Sequence, residues 1–528
     1  MNSDIFRKFI DSNKSFFLKK REGRDNRRGK ILVDLQITDV FIASSIMKMS
    51  LAVSDVLDRD IIVISAMRAK GDLIELIKSY NPMKVISAKF LIASGFLFNI
   101  AKIIKLAMNI NTGDDLVAIK IQDMPIGMHI YDLILRRMGL SSIDKLSLQQ
   151  RFYLAVELSF FYSILGYINR HNISYAILPD NVYRQGLIFE IVKKKVIPSI
   201  SAIDINGMSM HKYTSAEDYI QHCRTPDMDI VVKIMNTPGL YSDANKYLLY
   251  RTSGQEQQHD IVRAYSKEKM EIHRTDLINT YNLHPDKKIV LVMAHVFSDA
   301  PHAYPGMLFK DYEDWLIKTC TQLSQNQNVN FLVKEHPSAS LYKEDGLVDL
   351  ILGKHGFKNK VIAKNINTKS LFGAIDVIVT CGGTAGMEFP CFGIPVLVAA
   401  KPPYASFPYI LSPDTKTTYY SELNRIHEYN SLSNDNIRLA KCVLYVIHSV
   451  MKIEKNNIGM GSQPYYLGYD FDVNLFIQEM LEDNLNGRGY ITLRQTMEEF
   501  LAGKHNNFIN YEKLDTHVRP IREYILSN

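Results

Sequence analysis

The feature that most constrains the fold is the stretch from Val377 to Val398, VIVTCGGTAGMEFPCFGIPVLV. An apolar run leads into a turn of small residues at 380–386, then into a helical patch that carries Glu388, and finally into a second apolar run. This order predicts a strand, a glycine-rich turn, a helix and a second strand of a parallel sheet. Glycines at the end of such a strand let a ligand approach the backbone, and the next helix offers free N–H groups to a phosphate. The alternative is a tight turn without a ligand, but the order of features with a Glu near the helix start favours the phosphate.

A second polar segment follows an earlier apolar run. Residues 331–333, Phe-Leu-Val, lead directly into Lys-Glu-His-Pro-Ser at 334–338. Together with the glycine turn, this segment resembles the C-terminal domain of GT-B glycosyltransferases, especially those that make bacterial capsule and other surface polysaccharides. Those enzymes carry a Lys-x-His-Pro segment after one strand, and a small-residue turn with a Glu and a Gly-x-Pro after a later strand. The resemblance covers about residues 285–425, and non-hydrolysing UDP-N-acetylglucosamine 2-epimerases share its second pattern.

The composition is that of a globular protein with more than one domain. The chain has 528 residues, of which 46% are hydrophobic and 22% are charged, and this length suits two or three domains. A formal net charge of +6 is mild, so an anionic substrate or lipid surface explains it better than a nucleic-acid partner. The odd number of widely spaced cysteines, five, predicts neither a disulfide framework nor a zinc site. We therefore expect a reducing, cytoplasmic compartment.

Residues 1–29 combine an aromatic stripe at helical spacing with many lysines and arginines. This pattern is typical of an interfacial helix on anionic lipid and predicts peripheral contact with the inner face of the cell membrane. The alternative is a helix packed on the protein with a solvated basic tail. No secretory signal is visible. The longest apolar run, Phe90–Phe98, falls short of the roughly 20 residues that span a bilayer, so we expect a buried or surface-docking helix there.

Alternating strands and helices predict an α/β fold of two Rossmann-like, doubly wound parallel-sheet domains, the GT-B arrangement, after the helical and basic N-terminal extension. Strand-like runs begin near residues 31, 61, 175 and 196, and again near 289, 330, 361, 377 and 396. We place an N-terminal acceptor domain at 30–275 and a nucleotide-sugar-binding domain at 276–430. Helices at 431–528 are expected to pack back across the domains.

The resemblance implies a donor site at the strand ends of the second domain. Lys334 and His336 bring charge or a directed donor to the nucleotide, and Pro337 fixes the backbone after His336. Glu388 contacts the ribose hydroxyls, unless it only complements the helix dipole. The loop at residues 294–302, after the first strand of the second domain, could instead cap the following helix. Tyr404 could instead belong to a structural proline-rich loop. The further candidate donor contacts are Ser338, Gly382, Gly383, Thr384, Ala385, His295, Ser298, Asp299 and Tyr404.

Segment 121–132, IQDMPIGMHIYD, is the densest polar and glycine-containing segment of the first domain. It resembles a Gly-x-x-Ile-Tyr-Asp segment of capsule-type transferases, at the point where the acceptor enters. Asp123, His129 and Asp132 are the candidates for a catalytic general base, because burial would raise the pKa of an Asp toward the working pH. The residues do not decide among the three. An ion pair between Asp132 and Arg136, one helical turn further on, is an equal alternative.

Two arginines of the first domain are candidates for contact with an anionic acceptor. Arg136 lies four residues after the segment 121–132, and Arg184 follows the strand-like run 175–178. Between that run and Arg184 lie Asp180 and Asn181, and we expect one of them to cap the next helix.

The sequence thus predicts a metal-independent GT-B glycosyltransferase that needs no cofactor beyond its nucleotide-sugar substrate. The donor would bind in the second domain and a surface glycan or lipid-linked acceptor in the first, and no nucleic acid is expected as a partner. Two alternatives stay open: a nucleotide-sugar 2-epimerase on the same fold, and a noncatalytic glycan-binding protein of an assembly complex. The nucleotide base, the sugar and the linkage are not specified by these residues.

Overall fold

The computed structural model describes residues 3–21, 29–204, 207–255, 259–454, 458–460 and 473–515. The strands are β1 (Lys30–Leu35), β2 (Asp60–Ser65), β3 (Lys84–Ser87), β4 (Ile173–Leu178), β5 (Ser199–Asp204), β6 (Met208–Tyr213), β7 (Lys288–Met293), β8 (Val329–Lys334), β9 (Val377–Thr380), β10 (Val396–Val398) and β11 (Ile410–Leu411). The α-helices are α1 (Ser3–Arg21), α2 (Val40–Leu57), α3 (Gly71–Ser79), α4 (Ala88–Asn109), α5 (Gly113–Val117), α6 (Ile126–Met138), α7 (Leu148–Arg170), α8 (Tyr183–Lys194), α9 (Met228–Asn236), α10 (Pro238–Thr252), α11 (His259–Tyr265), α12 (Arg274–Thr280), α13 (Tyr312–Gln325), α14 (Leu347–Lys354), α15 (Thr368–Leu371), α16 (Ala385–Glu388), α17 (Lys416–Arg425), α18 (Asn434–Tyr445), α19 (Val473–Asn486) and α20 (Arg488–Ala502).

The chain folds into two compact units, and the first is built on a six-stranded sheet of order β3-β2-β1-β4-β5-β6. Strands β1 to β5 pair in parallel, and β6 is antiparallel to β5. The central strands β1, β2 and β4 are apolar and buried almost throughout, as expected for a parallel sheet with helices on both faces. Strand order reverses between β1 and β4, so the crevice at their carboxyl ends is the usual ligand position in such a sheet.

The second unit contains a five-stranded, fully parallel sheet of order β11-β10-β9-β7-β8. Its strand order reverses between β7 and β9, which places a second switch-point crevice there. The predicted α/β class with two Rossmann-like parallel sheets is confirmed. One predicted strand is wrong, because Val361 forms only an isolated bridge to Val333.

The N-terminal helix α1 packs into the core of the first unit. Phe6, Phe9, Ile10 and Phe17 are buried in the same apolar cluster as β1 and α2. The aromatic stripe that suggested an interfacial helix is therefore not exposed to lipid, and the alternative, a helix packed on the protein, describes α1. The basic residues 22–28 lie outside the described residues, so membrane contact through the segment 1–29 stays a prediction that rests on charge alone.

Three described helices, α2, α4 and α7, are long and apolar enough to cross a membrane by length and composition alone. The fold buries much of α2 and α7, but only 22% of the most apolar window of α4. The run Phe90–Phe98 lies in this helix. It belongs to a 22-residue element, longer than the sequence pattern indicated, because Asn99 and Lys102 bend or flank the helix without ending it.

The two units divide the chain differently from the predicted domains. The second unit starts at residue 221 instead of 276, also takes residues 132–144, and extends to 451. Helices α9 and α10 account for the earlier boundary, since both pack against α18 of that unit. Residues 452–509 belong to the first unit, where α19 packs on α1 and α20 on α2. The predicted group of helices at 431–528 is thus split between the units.

Candidate functional site

The loops after β7, β8 and β9 converge at the carboxyl edge of the second sheet. His295, just after β7, places Nε2 3.1 Å from the hydroxyl oxygen of Thr380, at the end of β9. The pKa of His295 is lowered to about 3, mainly by burial and to a smaller extent by the neighbouring His336 in the loop after β8. His295 is therefore a neutral imidazole that joins the three loops. Its ring also stacks on Tyr312 at a centroid distance of 4.3 Å.

Lys334, the last residue of β8, is a buried lysine with an unusual environment. Its Nζ donates to the carbonyl of Ile366 at 3.2 Å, and no carboxylate among the described residues pairs with it. Its pKa is lowered to about 7, mainly by burial and to a smaller extent by the charge of Lys269. An ammonium in such a site lacks a counter-charge, so an anion that enters would be stabilised by it.

A small pocket, with a cavity volume of about 60 Å³, lies beside Lys334. Its basic lining residues are Lys269, Lys334, His336 and Lys364. Lys364 pairs with the Glu335 carboxylate at 2.9 Å and also with Asp345. With all three lysines protonated, the two carboxylates leave a net charge of about one positive unit on the lining, which favours an anion.

His336 presents one ring nitrogen for a ligand bond. Its Nδ1 accepts a hydrogen bond from the Ser338 N–H at 3.2 Å, so the neutral ring carries its proton on Nε2. The Ser338 hydroxyl donates to Asp260 and the residue is buried. Ser338 thus orients the loop, and its predicted hydroxyl contact with the donor would have to displace Asp260. Pro337 lines the pocket beside His336.

The glycine turn after β9 is shaped by two tyrosines. A Cβ on Gly382 would lie 2.6 Å from the Tyr304 ring, and one on Gly386 would lie 2.2 Å from the Tyr404 hydroxyl. Tyr404 is fully buried and donates to the Gly383 carbonyl at 2.6 Å. The donor contact of Tyr404 stays a prediction, and in this structure the side chain supports the turn from behind.

The helix after this turn is shorter than predicted. Helix α16 spans four residues and continues as a short 3-10 helix at Phe389–Phe392. The N–H groups of Gly386, Met387 and Glu388 already donate to the carbonyls of Gly383 and Thr384. The Gly383 N–H also donates, to the Thr380 hydroxyl at 3.3 Å. A phosphate at this turn would therefore have to use the N–H groups of Gly382, Thr384 or Ala385, or displace one of these bonds.

Glu388 is buried in an ionic network of the second unit. One carboxylate oxygen accepts from Arg251 Nε at 2.8 Å, and the other accepts from the Tyr265 hydroxyl at 2.6 Å. Both partners come from helices that lie before β7 in the chain, so sequence spacing gave no sign of them. Contact with a ribose stays a prediction, but the ion pair gives Glu388 a structural role that the dipole alternative did not include.

The loop after β7 is tied down by Glu344. Its two carboxylate oxygens accept from the Phe297 and Ser298 N–H groups at 2.7 and 2.9 Å. Ser298 is buried, while Asp299 accepts from the Tyr342 hydroxyl at 3.2 Å. The guanidinium of Arg136 lies 4.0 Å from the centre of the Tyr342 ring. A single network therefore holds Arg136 and Asp299 close together.

Asp132 pairs with a histidine that sequence reasoning missed. Its Oδ1 lies 2.7 Å from His302 Nδ1, and its Oδ2 accepts from the His302 N–H at 3.1 Å. Asp132 is fully buried, and the predicted alternative pairing with Arg136 is not formed. The bonds hold the His302 ring in one orientation with Nδ1 toward the carboxylate, which makes Nε2 the basic nitrogen of the neutral ring. A histidine directly after Pro301 in a strand-end loop was the available signal.

The other two candidate bases lie elsewhere. Asp123 is exposed, has a positive φ, and faces Lys194 at 3.3 Å. His129 is buried in the first unit, with Nε2 3.6 Å from Glu190 and its ring pressed against Gly186. Within the described residues neither ring nitrogen of His129 forms a hydrogen bond. The three residues that the sequence grouped together therefore have different partners.

Arg184 is engaged inside the first unit. Its Nε donates to Glu157 Oε2 at 2.6 Å, and a second guanidinium nitrogen binds the other oxygen. Both side chains are buried, so the predicted contact of Arg184 with an acceptor would break a bidentate ion pair. The predicted cap is also wrong, because the N-cap residue of α8 is Val182, and Asp180 accepts from the Asn181 N–H instead.

Asp34 is a further buried carboxylate that the sequence did not single out. It lies near the end of β1, at the switch point of the first sheet, and is fully buried. Its Oδ1 accepts from the backbone and side chain of Gln36, whereas Oδ2 has no hydrogen-bond partner in the described part of the chain. Burial raises the pKa of Asp34 to about 7. It is therefore a group that can exchange a proton near neutral pH.

No group of three or more His, Cys, Asp or Glu side chains in the described ranges is arranged to hold a metal ion. Chemistry without a metal stays a prediction. The five cysteines are all free and buried.

Comparison with known proteins gives structural neighbours only. No protein-family model matches the chain, and no curated protein matches it. One similar structure is the KpsC beta Kdo 2,4 transferase of Thermosulfurimonas dismutans, at 14% identity over 52% of this chain and 79% of that chain, with a TM-score of 0.30. A second is a glycosyltransferase from Rickettsia africae ESF-5, at 12% identity over 89% of this chain and 99% of that chain, with a TM-score of 0.26. A third is a UDP-GlcNAc 2-epimerase from Neisseria meningitidis, at 10% identity over 79% of this chain and 97% of that chain, with a TM-score of 0.21. At these values the matches say nothing about activity, and the α/β class rests on the two parallel sheets themselves.

Proposed function

We propose that this protein is a GT-B glycosyltransferase that moves a sugar from a nucleotide-sugar donor onto a surface glycan or lipid-linked acceptor. It would work at the cytoplasmic face of a bacterial membrane, without a metal ion and without nucleic acid as a partner. The observation that carries the proposal is the pocket beside Lys334. It combines a buried lysine, which has no carboxylate partner among the residues that the structure describes, with a second lysine and His336 at the carboxyl edge of a parallel sheet.

Departure of a nucleotide leaves negative charge on a phosphate, and a glycosyltransferase must stabilise that charge. In this proposal Lys334 and Lys269 supply positive charge, and His336 donates through Nε2. An anion in the pocket raises the depressed pKa of Lys334, so the lysine is charged when the donor is bound. Preorganised charges of this kind act most strongly where water is excluded.

The proposed base is His302, oriented by Asp132. The acceptor hydroxyl would lose its proton to His302 Nε2, while the buried carboxylate stabilises the imidazolium that forms. The 2.7 Å contact between the Asp132 carboxylate and His302 Nδ1 supports this assignment. Of the three bases suggested by the sequence, Asp132 thus keeps a role, as the residue that positions the base.

Thermal unfolding in the presence of CMP, UDP and GDP tests the donor site. We expect one of these nucleotides to raise the melting temperature, since a ligand at one hundred times its Kd stabilises a folded protein by about 2.7 kcal/mol. His336→Ala should raise the Kd for this nucleotide at least tenfold and so reduce the shift in melting temperature. His355→Ala, at an exposed histidine of the same unit, should leave both unchanged. No stabilisation by any of the three nucleotides, or equal binding by both variants, would remove the donor-site assignment.

Activity distinguishes transfer from its alternatives. We expect turnover of the stabilising nucleotide's sugar conjugate only when an acceptor is present, and a loss of at least a hundredfold in His302→Ala. An epimerised nucleotide sugar formed without any acceptor would identify the protein as an epimerase instead.

A further inference from the structure

Helix α4 presents a continuous apolar stripe to solvent. Large apolar side chains recur at helical spacing along its length, and each is at least 45% exposed. They are Phe90, Leu97, Ile100, Ile104 and Met108. Helix α7 adds two exposed apolar residues one helical turn apart, Leu148 and Phe152. We call this set of seven residues the α4 stripe. Contiguous exposed apolar surface of this kind marks an interaction site.

The opposite face of α4 is already occupied by α7 of the same unit. A Cβ on Gly95 would lie 1.8 Å from the Ser159 carbonyl oxygen, so the two helices touch through their backbones. The Ser94 and Ser163 hydroxyls bond at 2.8 Å, and Arg151 donates to the carbonyl of Ala107 at 2.6 Å. Because one face is packed in this way, α4 cannot be surrounded by lipid without leaving α7.

The helix is bent at the centre of the stripe. Asn99 has non-helical backbone angles, and its side chain amide donates to the Gly95 carbonyl at 3.1 Å. Just before this bend, three consecutive apolar residues, Phe96 to Phe98, are all exposed, which a regular helix packed on one side does not produce. They form an apolar projection beyond the surface of the unit.

The charged side chains of α4 itself have a single sign. Lys89, Lys102 and Lys105 are exposed on α4, and the helix contains no Asp or Glu. An apolar face bordered by lysines complements the headgroup region of an anionic bilayer. A second copy of this chain would instead bring three like charges against three.

We propose that the α4 stripe docks this protein onto an anionic lipid bilayer, with α4 lying along the surface and the lysines meeting the headgroups. A helix of 22 residues covers about 33 Å of membrane surface. This docking surface is distinct from α1, whose aromatic side chains are buried. Lipid docking by this surface does not depend on the proposed donor site, and vesicle binding tests it without any nucleotide.

Sedimentation with vesicles of phosphatidylcholine, with and without phosphatidylglycerol, tests the proposal on the full-length protein. We expect binding to the mixed vesicles, weakened by salt and weaker to phosphatidylcholine alone. Leu97→Glu and Ile104→Glu should each reduce the partition coefficient about tenfold or more. Each replaces apolar surface that would enter the bilayer by a carboxylate, which the anionic headgroups repel. The matched control is Leu485→Glu, at an equally exposed leucine on α19, and it should bind as wild type.

Lys102→Gln combined with Lys105→Gln should remove the preference for anionic vesicles. Circular dichroism and the nucleotide thermal shift should stay at wild-type values in all these variants, because every substituted side chain is exposed. The proposal is overturned if the control and the stripe variants bind vesicles equally, or if wild type does not bind. It is also overturned if sedimentation equilibrium shows a dimer that Leu97→Glu dissociates, since a second copy would then cover the stripe.

Discussion

Replacement of Lys334 by methionine should change the pH dependence of stability. In the folded protein burial lowers the pKa of Lys334 to about 7 from 10.5. Between these two values the unfolded chain binds more protons than the folded protein, so the free energy of unfolding rises with pH in that window. Below pH 7 the lysine is charged in both states and the folded protein carries the full cost of its burial, about 5 kcal/mol for a displacement of this size.

Between pH 7 and pH 9 this one group should add about 2 kcal/mol to the stability of the wild type. Lys334→Met lacks the ionisable group and has a similar apolar stem, so it should lose that increment and be the more stable protein at pH 6. Urea unfolding of both proteins at pH 6, 7, 8 and 9 measures the difference directly. The reasoning is refuted if the two proteins show parallel pH dependence, or if the variant is less stable at pH 6.

Three further outcomes are expected. Phe9→Ala should lower the free energy of unfolding by about 3–5 kcal/mol in denaturant titrations, because the ring is 1% exposed in the core; a loss below about 1 kcal/mol would place α1 outside the core. Glu388→Gln should cost about 3–5 kcal/mol, since it leaves Arg251 as a buried charge without its carboxylate; a stable variant with weakened nucleotide affinity would instead favour the ribose contact. Asp34→Asn should gain stability over wild type as pH rises from about 4 to 7, because the folded protein binds the extra proton there, and identical thermal-melt profiles from pH 4 to 7 would contradict the buried carboxylate.

The sequence predicted those parts of the fold that depend on local pattern. Apolar runs followed by polar or glycine-rich turns correctly predicted β1, β2, β4 and most strands of the second sheet, and they placed the loops at His336 and Gly383 at strand ends. Neighbouring strands of a parallel sheet end at the same edge, so loops that follow such strands in the sequence lie close together in the structure. Short strands such as β3 and β11 lacked enough residues to give a pattern.

Long-range partners could not be read from the sequence. Arg184 was predicted to contact an acceptor, but two of its three guanidinium nitrogens bind Glu157, which lies 27 residues away in the chain. Asp132 forms its hydrogen bonds with His302, 170 residues further along the chain, and not with Arg136, which is one helical turn away. The buried Tyr404 and the aromatic face of α1 likewise depend on tertiary packing, which overrides an amphipathic or loop-like pattern.

A crystal structure with the nucleotide that gives the largest thermal shift tests the central claim most directly. We expect a phosphate oxygen within hydrogen-bond distance of His336 Nε2 and Lys334 Nζ, in the pocket lined by Lys269 and Pro337. A nucleotide bound elsewhere, with this pocket filled by water, would contradict the donor site and the transferase proposed from it.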